Sequence, residues 1–261
     1  MALPFLFCFH LKGVVFFVSG LFRCVILPPL LVATIFFPVV ASVSAANSAV
    51  VLLYHRFGEG KFPSTNIQLS QFEGHLKELA SGGYVVLPLP DVVRALRDGV
   101  PLPDRAVAVT VDDAYESVFT QGWPRLKAAG FPLTLFVSTE PVDLGLRGYM
   151  NWNQIRELVQ QGVTIGNHTR RHPHLLSQTP EQAADEISKA DHRFQTELGQ
   201  TPELFAYPFG EAGLSLIQTV RRAGFRAAFG QHSGVLHPGL DPFYLPRFAL
   251  NERYGTMKRF R

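Results

Sequence analysis

The run Arg105-Ala-Val-Ala-Val-Thr-Val111 is rich in apolar and β-branched residues and ends in two adjacent carboxylates, Asp112 and Asp113. A strand without a polar alternate face has to be buried on both sides, the condition of a central strand in a parallel sheet covered by helices. Successive strand side chains point to opposite faces, so two consecutive aspartates converge on one site only where the chain is leaving the strand. That puts them at the carboxyl end, where the active sites of parallel α/β folds gather.

A second segment repeats the pattern. Val163-Thr-Ile-Gly166 reads as a short strand, and Asn167-His168-Thr-Arg-Arg-His172 follows it. Residues four apart share a face in helical geometry, so both imidazoles can reach one point. Alone, an Asp-Asp pair is commonly a solvated turn or a helix cap, and His-x-x-x-His is as often surface or core. At two strand ends together they form the donor set of a hydrolytic metal centre. Catalytic zinc usually takes three protein ligands and keeps a fourth position for water. Asp113, His168 and His172 would make that set, which leaves Asp112 to accept a proton. Such an ion brings the pKa of water down to about 7 and polarises a carbonyl.

The remaining periodicity alternates strand and helix. Ser70-Gln-Phe-Glu73 predicts a capping box before Phe72, Leu76 and Leu79, with Gly82-Gly83 as the stop. A helix from near Glu116 to Gly130 leads into a strand over Phe131–Val137, and Asn153 to Gln161 reads as a short helix. Thr179-Pro180 opens a longer helix with proline at its first position. Phe225–Phe229 and Tyr244–Leu250 read as later strands. Short strand-helix-strand intervals argue for a mostly parallel sheet in an α/β domain.

Residues 1–46 differ in kind. They contain no acidic residue, only Lys12 and Arg23 as cations, and apolar runs over 14–22 and 25–40 that end in Ala41-Ser-Val-Ser-Ala45-Ala46. Small residues after an apolar run resemble a signal-peptidase site, so the segment is expected to be a secretory signal or a membrane anchor. Both cysteines, Cys8 and Cys24, lie in it, and residues 47–261 therefore carry neither a disulfide nor a thiolate site. There, 22 cations face 21 anions, without the basic footprint of a nucleic-acid binder. About 215 residues suffice for one well-packed domain.

Three motifs carry a resemblance. Thr110-Val111-Asp112-Asp113, His168-Thr169-x-x-His172 and Ala206-Tyr207-Pro208-Phe209-Gly210 resemble the signature of the polysaccharide deacetylases with a NodB homology domain (carbohydrate esterase family 4). The likeness spans about residues 50 to 250 and includes the strand Val50-Val-Leu-Leu-Tyr54-His55. It looks closest to the poly-N-acetylglucosamine deacetylase-like branch. The resemblance implies an incomplete (β/α)7-type barrel, with Asp112 as general base and Asp113, His168 and His172 holding a divalent ion. That ion would be zinc, with cobalt or nickel as alternatives. It further implies the Tyr115 backbone N–H as a donor to the developing oxyanion, and Pro208 and Phe209 as groove walls.

Two departures stand out. The family's third motif begins with an arginine that orients the base, and this chain has Ala206 there. Arg247, in Tyr244-Leu-Pro-Arg247-Phe-Ala-Leu250, is expected to replace it. The family's late Leu-x-x-His is also absent. His232, just after the strand ending at Phe229, is preferred over His237 as general acid. His55 is expected to contact substrate or support the site, His75 and His192 to be solvated on helices, and His174 to be a local cap or a supporting group. The implied protein is an exported, metal-dependent enzyme that removes N-acetyl groups from an N-acetylglucosamine polysaccharide. The N-terminal segment offers a means of membrane association. The alternatives are a carbohydrate-binding relic of the same fold and a deacetylase or esterase acting on another acyl substrate.

Overall fold

A computed structural model describes residues 45–261, and the expected leader lies outside the described residues except for its last two. The backbone of Ala45–Ala46 pairs antiparallel with Leu102–Pro103, so regular structure begins just before the boundary expected at residue 47. No helix among the described residues is long and apolar enough to cross a membrane.

Seven parallel strands follow one another around the sheet: β1 (Ala49–Tyr54), β2 (Ala106–Asp112), β3 (Thr134–Val137), β4 (Thr164–Asn167), β5 (Leu204–Ala206), β6 (Ala227–Phe229) and β7 (Phe248–Ala249). Their order is β6-β5-β4-β3-β2-β1-β7. Just upstream of β7, Leu245 bridges in parallel to Phe229 of β6, so the curled sheet is brought round on itself by a last segment broken at Pro246-Arg247. This is the expected incomplete (β/α) barrel.

Period-2 alternation sorts the strands. Ala49 and Val51 of β1, Ala106 and Ala108 of β2, Phe136 of β3, Leu204 and Ala206 of β5 and Phe229 of β6 form one buried cluster, the barrel interior. Leu52, Tyr54, Val107, Val109, Val111, Leu135 and Val137 pack outward against the helices. Continuing the inward register beyond those layers reaches His55 just past β1, Thr110 and Asp112 on β2, and His168 just past β4. The top layer of the barrel interior is polar, and the site is that layer.

The helices over Leu69–Ser81, Trp152–Gln160 and Pro180–Leu198 and the helical stretch from Glu116 to Ala128 form near their expected positions, and two further helices, Leu89–Asp98 and Leu214–Arg222, join them. The first starts differently. Gln68 is its N-cap, and the Gln68 N–H donates to Gln71 Oε1 at 3.2 Å, while Ser70 and Glu73 lie inside the helix. Bonds from the side-chain amides of Gln68 and Gln71 to Glu252 fix that earlier start. Strand β3 is shorter than its apolar run, because Phe131-Pro-Leu lies outside the ladder.

His75 is not solvated. It is fully buried, with Nε2 2.7 Å from the Gly255 carbonyl, Nδ1 3.0 Å from the Tyr54 hydroxyl and its ring stacked on Phe260. A carbonyl only accepts, so Nε2 carries the proton and the tyrosine donates to Nδ1. The signal was present in the spacing, since 72, 75, 76 and 79 are i, i+3, i+4 and i+7 of one helix face.

Phe136 and Gly166 are register partners across β3 and β4, and a methyl group on Gly166 would overlap the Phe136 ring. Overpacking of this kind costs about 1–3 kcal/mol. Gly166→Ala is expected to lose about that much stability in urea denaturation and to disturb the His168 loop that follows; an unchanged midpoint would contradict this packing.

Candidate metal centre and active site

Strand β2 ends at Asp112, and the next two residues take left-handed backbone conformations, Asp113 at φ 75° and Ala114 at φ 52°. The turn is what lets two neighbouring aspartates face one site. They then have different partners.

Asp112 is fully buried and paired in bidentate fashion with the equally buried Arg247. Nη1 lies 2.8 Å from Oδ1 and Nη2 2.7 Å from Oδ2. Arg247 Nε donates to the Gly230 carbonyl at 2.9 Å, and Nη1 also approaches Thr110 Oγ1 at 3.3 Å. The guanidinium is thus fixed from three sides. Burial pushes the Asp112 carboxyl up, but the charges of Arg247 and His168 and the Arg247 hydrogen bonds outweigh it and hold the group below its ordinary value.

Asp113 faces the imidazoles. Its Oδ1 lies 3.5 Å from His168 Nε2 and 3.4 Å from His172 Nε2, and one ligand atom from each of the three residues lies within 4.8 Å of the others. Tetrahedral zinc with bonds of about 2.0–2.1 Å separates neighbouring ligand atoms by roughly 3.3 Å, close to these spacings. His168 Nδ1 is 2.8 Å from the Ala206 carbonyl. That acceptor holds the Nδ1 proton and turns Nε2 toward the cluster. Nε2 is buried and has no hydrogen-bond partner among the described residues. Burial, followed by the charge of His168, lowers the His172 pKa to about 4 and keeps that ring neutral. The Asp113 carboxyl is held well below its ordinary range, because the neighbouring imidazoles outweigh its burial. One carboxylate and two imidazole nitrogens at ligand spacing, one of those nitrogens buried and orphaned, fit a divalent cation.

The other expected residues divide. The half-buried Tyr115 follows the left-handed turn, and among the described residues no backbone or side-chain oxygen accepts its N–H. Its ring carries the Arg56 guanidinium at 3.3 Å, a neighbour that sequence reading missed. Phe209 is 45% exposed, lies 4.5 Å from the His172 ring and stacks on His174 at 3.9 Å. It holds φ 59°, and Pro208 is buried beneath it, so Phe209 alone presents surface there. His192 is exposed, as expected.

Among the described residues the side chains of the histidines expected to act as acid make no hydrogen bond to the cluster, although the His232 carbonyl accepts from the Arg247 N–H at 3.0 Å. His232 is exposed against the Tyr244 ring, and the lowering of its pKa comes from partial burial alone, with no contribution from the site's charges. His237 adjoins Leu236, whose backbone bonds to Ala49 at the amino end of β1, opposite the site. The imidazole that does feel Asp113, Asp112, Arg247 and His168 is His55, whose pKa is lowered first by burial. Its inward register was readable from Val51 and Leu53.

The polysaccharide deacetylase family model matches residues 99–228, and the chain belongs to this family. It is 26% identical over 185 residues to YxkH of Bacillus subtilis (strain 168), a protein named for the polysaccharide deacetylases; the match covers 71% of this chain and 65% of that relative, just under two thirds of its length. It is 22% identical over 234 residues to the poly-beta-1,6-N-acetyl-D-glucosamine N-deacetylase of Staphylococcus aureus (strain MSSA476), covering 79% of this chain and 80% of that protein. The solved structure of IcaB from Ammonifex degensii superposes with a TM-score of 0.73 at 26% identity, covering 81% of this chain and 95% of that one.

Removing one partner of a buried ion pair costs about 3–5 kcal/mol. Arg247→Ala is therefore expected to be destabilised by about that amount at pH 7 in the metal-free protein. In the wild type the lowered Asp112 pKa stabilises the fold above the unfolded carboxyl value of about 3.9 and is lost as pH falls through the folded value. Without the arginine, burial raises that pKa, so the deficit should narrow as pH is lowered towards 4. Denaturation curves at several pH values decide, and a deficit that widens in acid would contradict the assignment.

Proposed function

We propose that the protein removes N-acetyl groups from an N-acetylglucosamine polymer by metal-assisted hydrolysis. The observation that carries this reading is the juxtaposition, in a polysaccharide deacetylase fold, of an arginine-held carboxylate with a three-residue ligand set containing an orphaned imidazole nitrogen. The named activity of the Staphylococcus aureus relative supports a β-1,6-linked polymer as substrate.

Asp113, His168 and His172 would hold the ion, zinc being the best fit to one carboxylate and two imidazoles. When bound, it would polarise the acetamide carbonyl and acidify water. Asp112 takes the proton of the attacking water. Arg247 occupies one lone pair of each Asp112 oxygen and leaves the second free to accept, while its hydrogen bonds stop the carboxylate from swinging over to become a fourth ligand. The Tyr115 N–H donates to the carbonyl oxygen as negative charge develops there, a contribution worth several kcal/mol at fixed donors. His55, half-buried in the same layer, gives a proton to the leaving amine. Phe209 offers an apolar face to a sugar ring. The missing third-motif arginine, which favoured a non-catalytic relic, has a stand-in at Arg247. The acid-free apolar leader supports an exported protein, tethered or released.

Acetate release from β-1,6- and β-1,4-linked N-acetylglucosamine oligomers and from acetylated xylan, with and without added Zn²⁺, Co²⁺ or Ni²⁺, tests the reading. Asp113→Ala should lose the ion, whereas Asp112→Asn should retain it and be inactive; an active Asp112→Asn enzyme would reject the assigned base. A general acid contributes about 10²–10⁴-fold. His55→Asn should lose activity within that range and His232→Ala should stay near wild type, and the reverse ranking would restore His232.

A further inference from the structure

The loop that carries both imidazole ligands is built on the helix Pro180–Leu198, and one buried acid of that helix makes most of the connection. Glu186 is 1% exposed. Its Oε2 accepts from the Arg171 backbone N–H at 2.8 Å, its Oε1 accepts from Arg171 Nε at 2.5 Å, and its own carbonyl accepts from the Arg170 N–H at 3.2 Å. The Arg171 side chain is folded back so that both its donors meet one carboxylate, while its far end stays half-exposed. The next residue in the chain is His172, at φ 59°.

The rest of the loop is closed by short bonds. Asn167 Oδ1 accepts from the Thr169 N–H at 2.7 Å, and Thr169 Oγ1 accepts from the His172 N–H at 3.0 Å. Asn167 Nδ2 donates to the Ile187 carbonyl, one residue beyond Glu186. Thr169, at φ 70°, and His172 both hold left-handed conformations that L-residues ordinarily avoid. The loop therefore needs outside support: its carbonyls accept from Ser138 Oγ and from the Thr139 and Glu140 N–H groups, and among the described residues the only charged side chain that accepts from its backbone N–H groups is Glu186. Among the described residues His172 has no equivalent of the Ala206 carbonyl that fixes His168, so its ring is placed through its backbone and by packing against Phe209.

We propose that Glu186 is a positioning residue for the metal centre: by holding the Arg170-Arg171 backbone it sets where the His172 ring stands relative to Asp113 and His168. It touches neither ligand atoms nor substrate and acts through two peptide groups. The inference rests on the metal-binding reading above. Buried acceptors that orient a metal site typically change affinity by 10- to 100-fold when removed.

The test is titration of the purified, metal-free full chain with Co²⁺, read by its visible absorption spectrum, with Zn²⁺ competition for affinity. Glu186→Ala is expected to bind 10- to 100-fold more weakly, with an altered cobalt spectrum. Glu186→Gln keeps one acceptor oxygen for two donors and should fall between that variant and wild type. Thermal melts of the metal-free proteins identify which variants fold; if Glu186→Ala does not, Glu186→Gln decides. Wild-type affinity and spectrum in the deciding variant would overturn the inference while leaving the metal site standing. Failure of the wild type to bind Co²⁺ or Zn²⁺ would instead overturn the reading on which it rests.

Discussion

The buried pair of Asp112 and Arg247 is the constraint around which the site is organised. An ionised carboxylate in the upper barrel interior, with no access to water, would be expelled or protonated without a counter-charge. Bidentate guanidinium contact supplies that charge and a fixed orientation together. It also separates two chemically identical neighbours. Asp112 is held by the arginine in the inward register of β2, while Asp113, turned by the left-handed backbone that follows, is left for the imidazoles. A base and a ligand thus arise from adjacent residues through different surroundings.

Backbone strain follows the same map. Asp113, Ala114, Thr169, His172 and Phe209 are five of the six described non-glycine residues with positive φ. Each such conformation costs on the order of 1 kcal/mol or more and persists only where its surroundings hold it. Four of the five lie in the two ligand-bearing turns, and the fifth presents the exposed ring beside His172. The regular barrel below provides the rigidity, and the irregular turns above convert strand ends into converging donors.

The legible part of the molecule was the part written in local pattern. The double-sided apolar run ending in Asp112-Asp113 and the strand before His168 fixed both halves of the cluster, because burial and strand register are properties of a few consecutive residues. Tertiary partnership was harder to read. Arg247 was reached only through a gap in a motif, since nothing local tells a buried arginine from a surface one. His232 was preferred to His237 as the acid on its place after a strand, while His55, expected to contact substrate or support the site, continues the alternation Ala49, Val51, Leu53 into the same layer. His75 lies on the apolar stripe of its helix and was misread by residue type. Glu186 looks in sequence like any acid on an amphipathic helix; only the turns folded against it make it different.

The substitution at the third motif has a spatial logic. Ala206 lies on β5 with its side chain in the barrel interior, in the same cluster as Leu245, and its carbonyl holds the His168 ring. Arg247, two residues after Leu245, enters that interior from the other side of the sheet's opening. Both oxygens of Asp112 are already engaged by its guanidinium, so an arginine at 206 as well would bring a second cation to a carboxylate with no further planar pairing to offer. A small residue at 206 is therefore what an arginine at 247 requires, and the requirement is met while the backbone function of position 206 is retained. What the site needs is a guanidinium facing Asp112, and the chain can supply it from whichever strand end reaches that point.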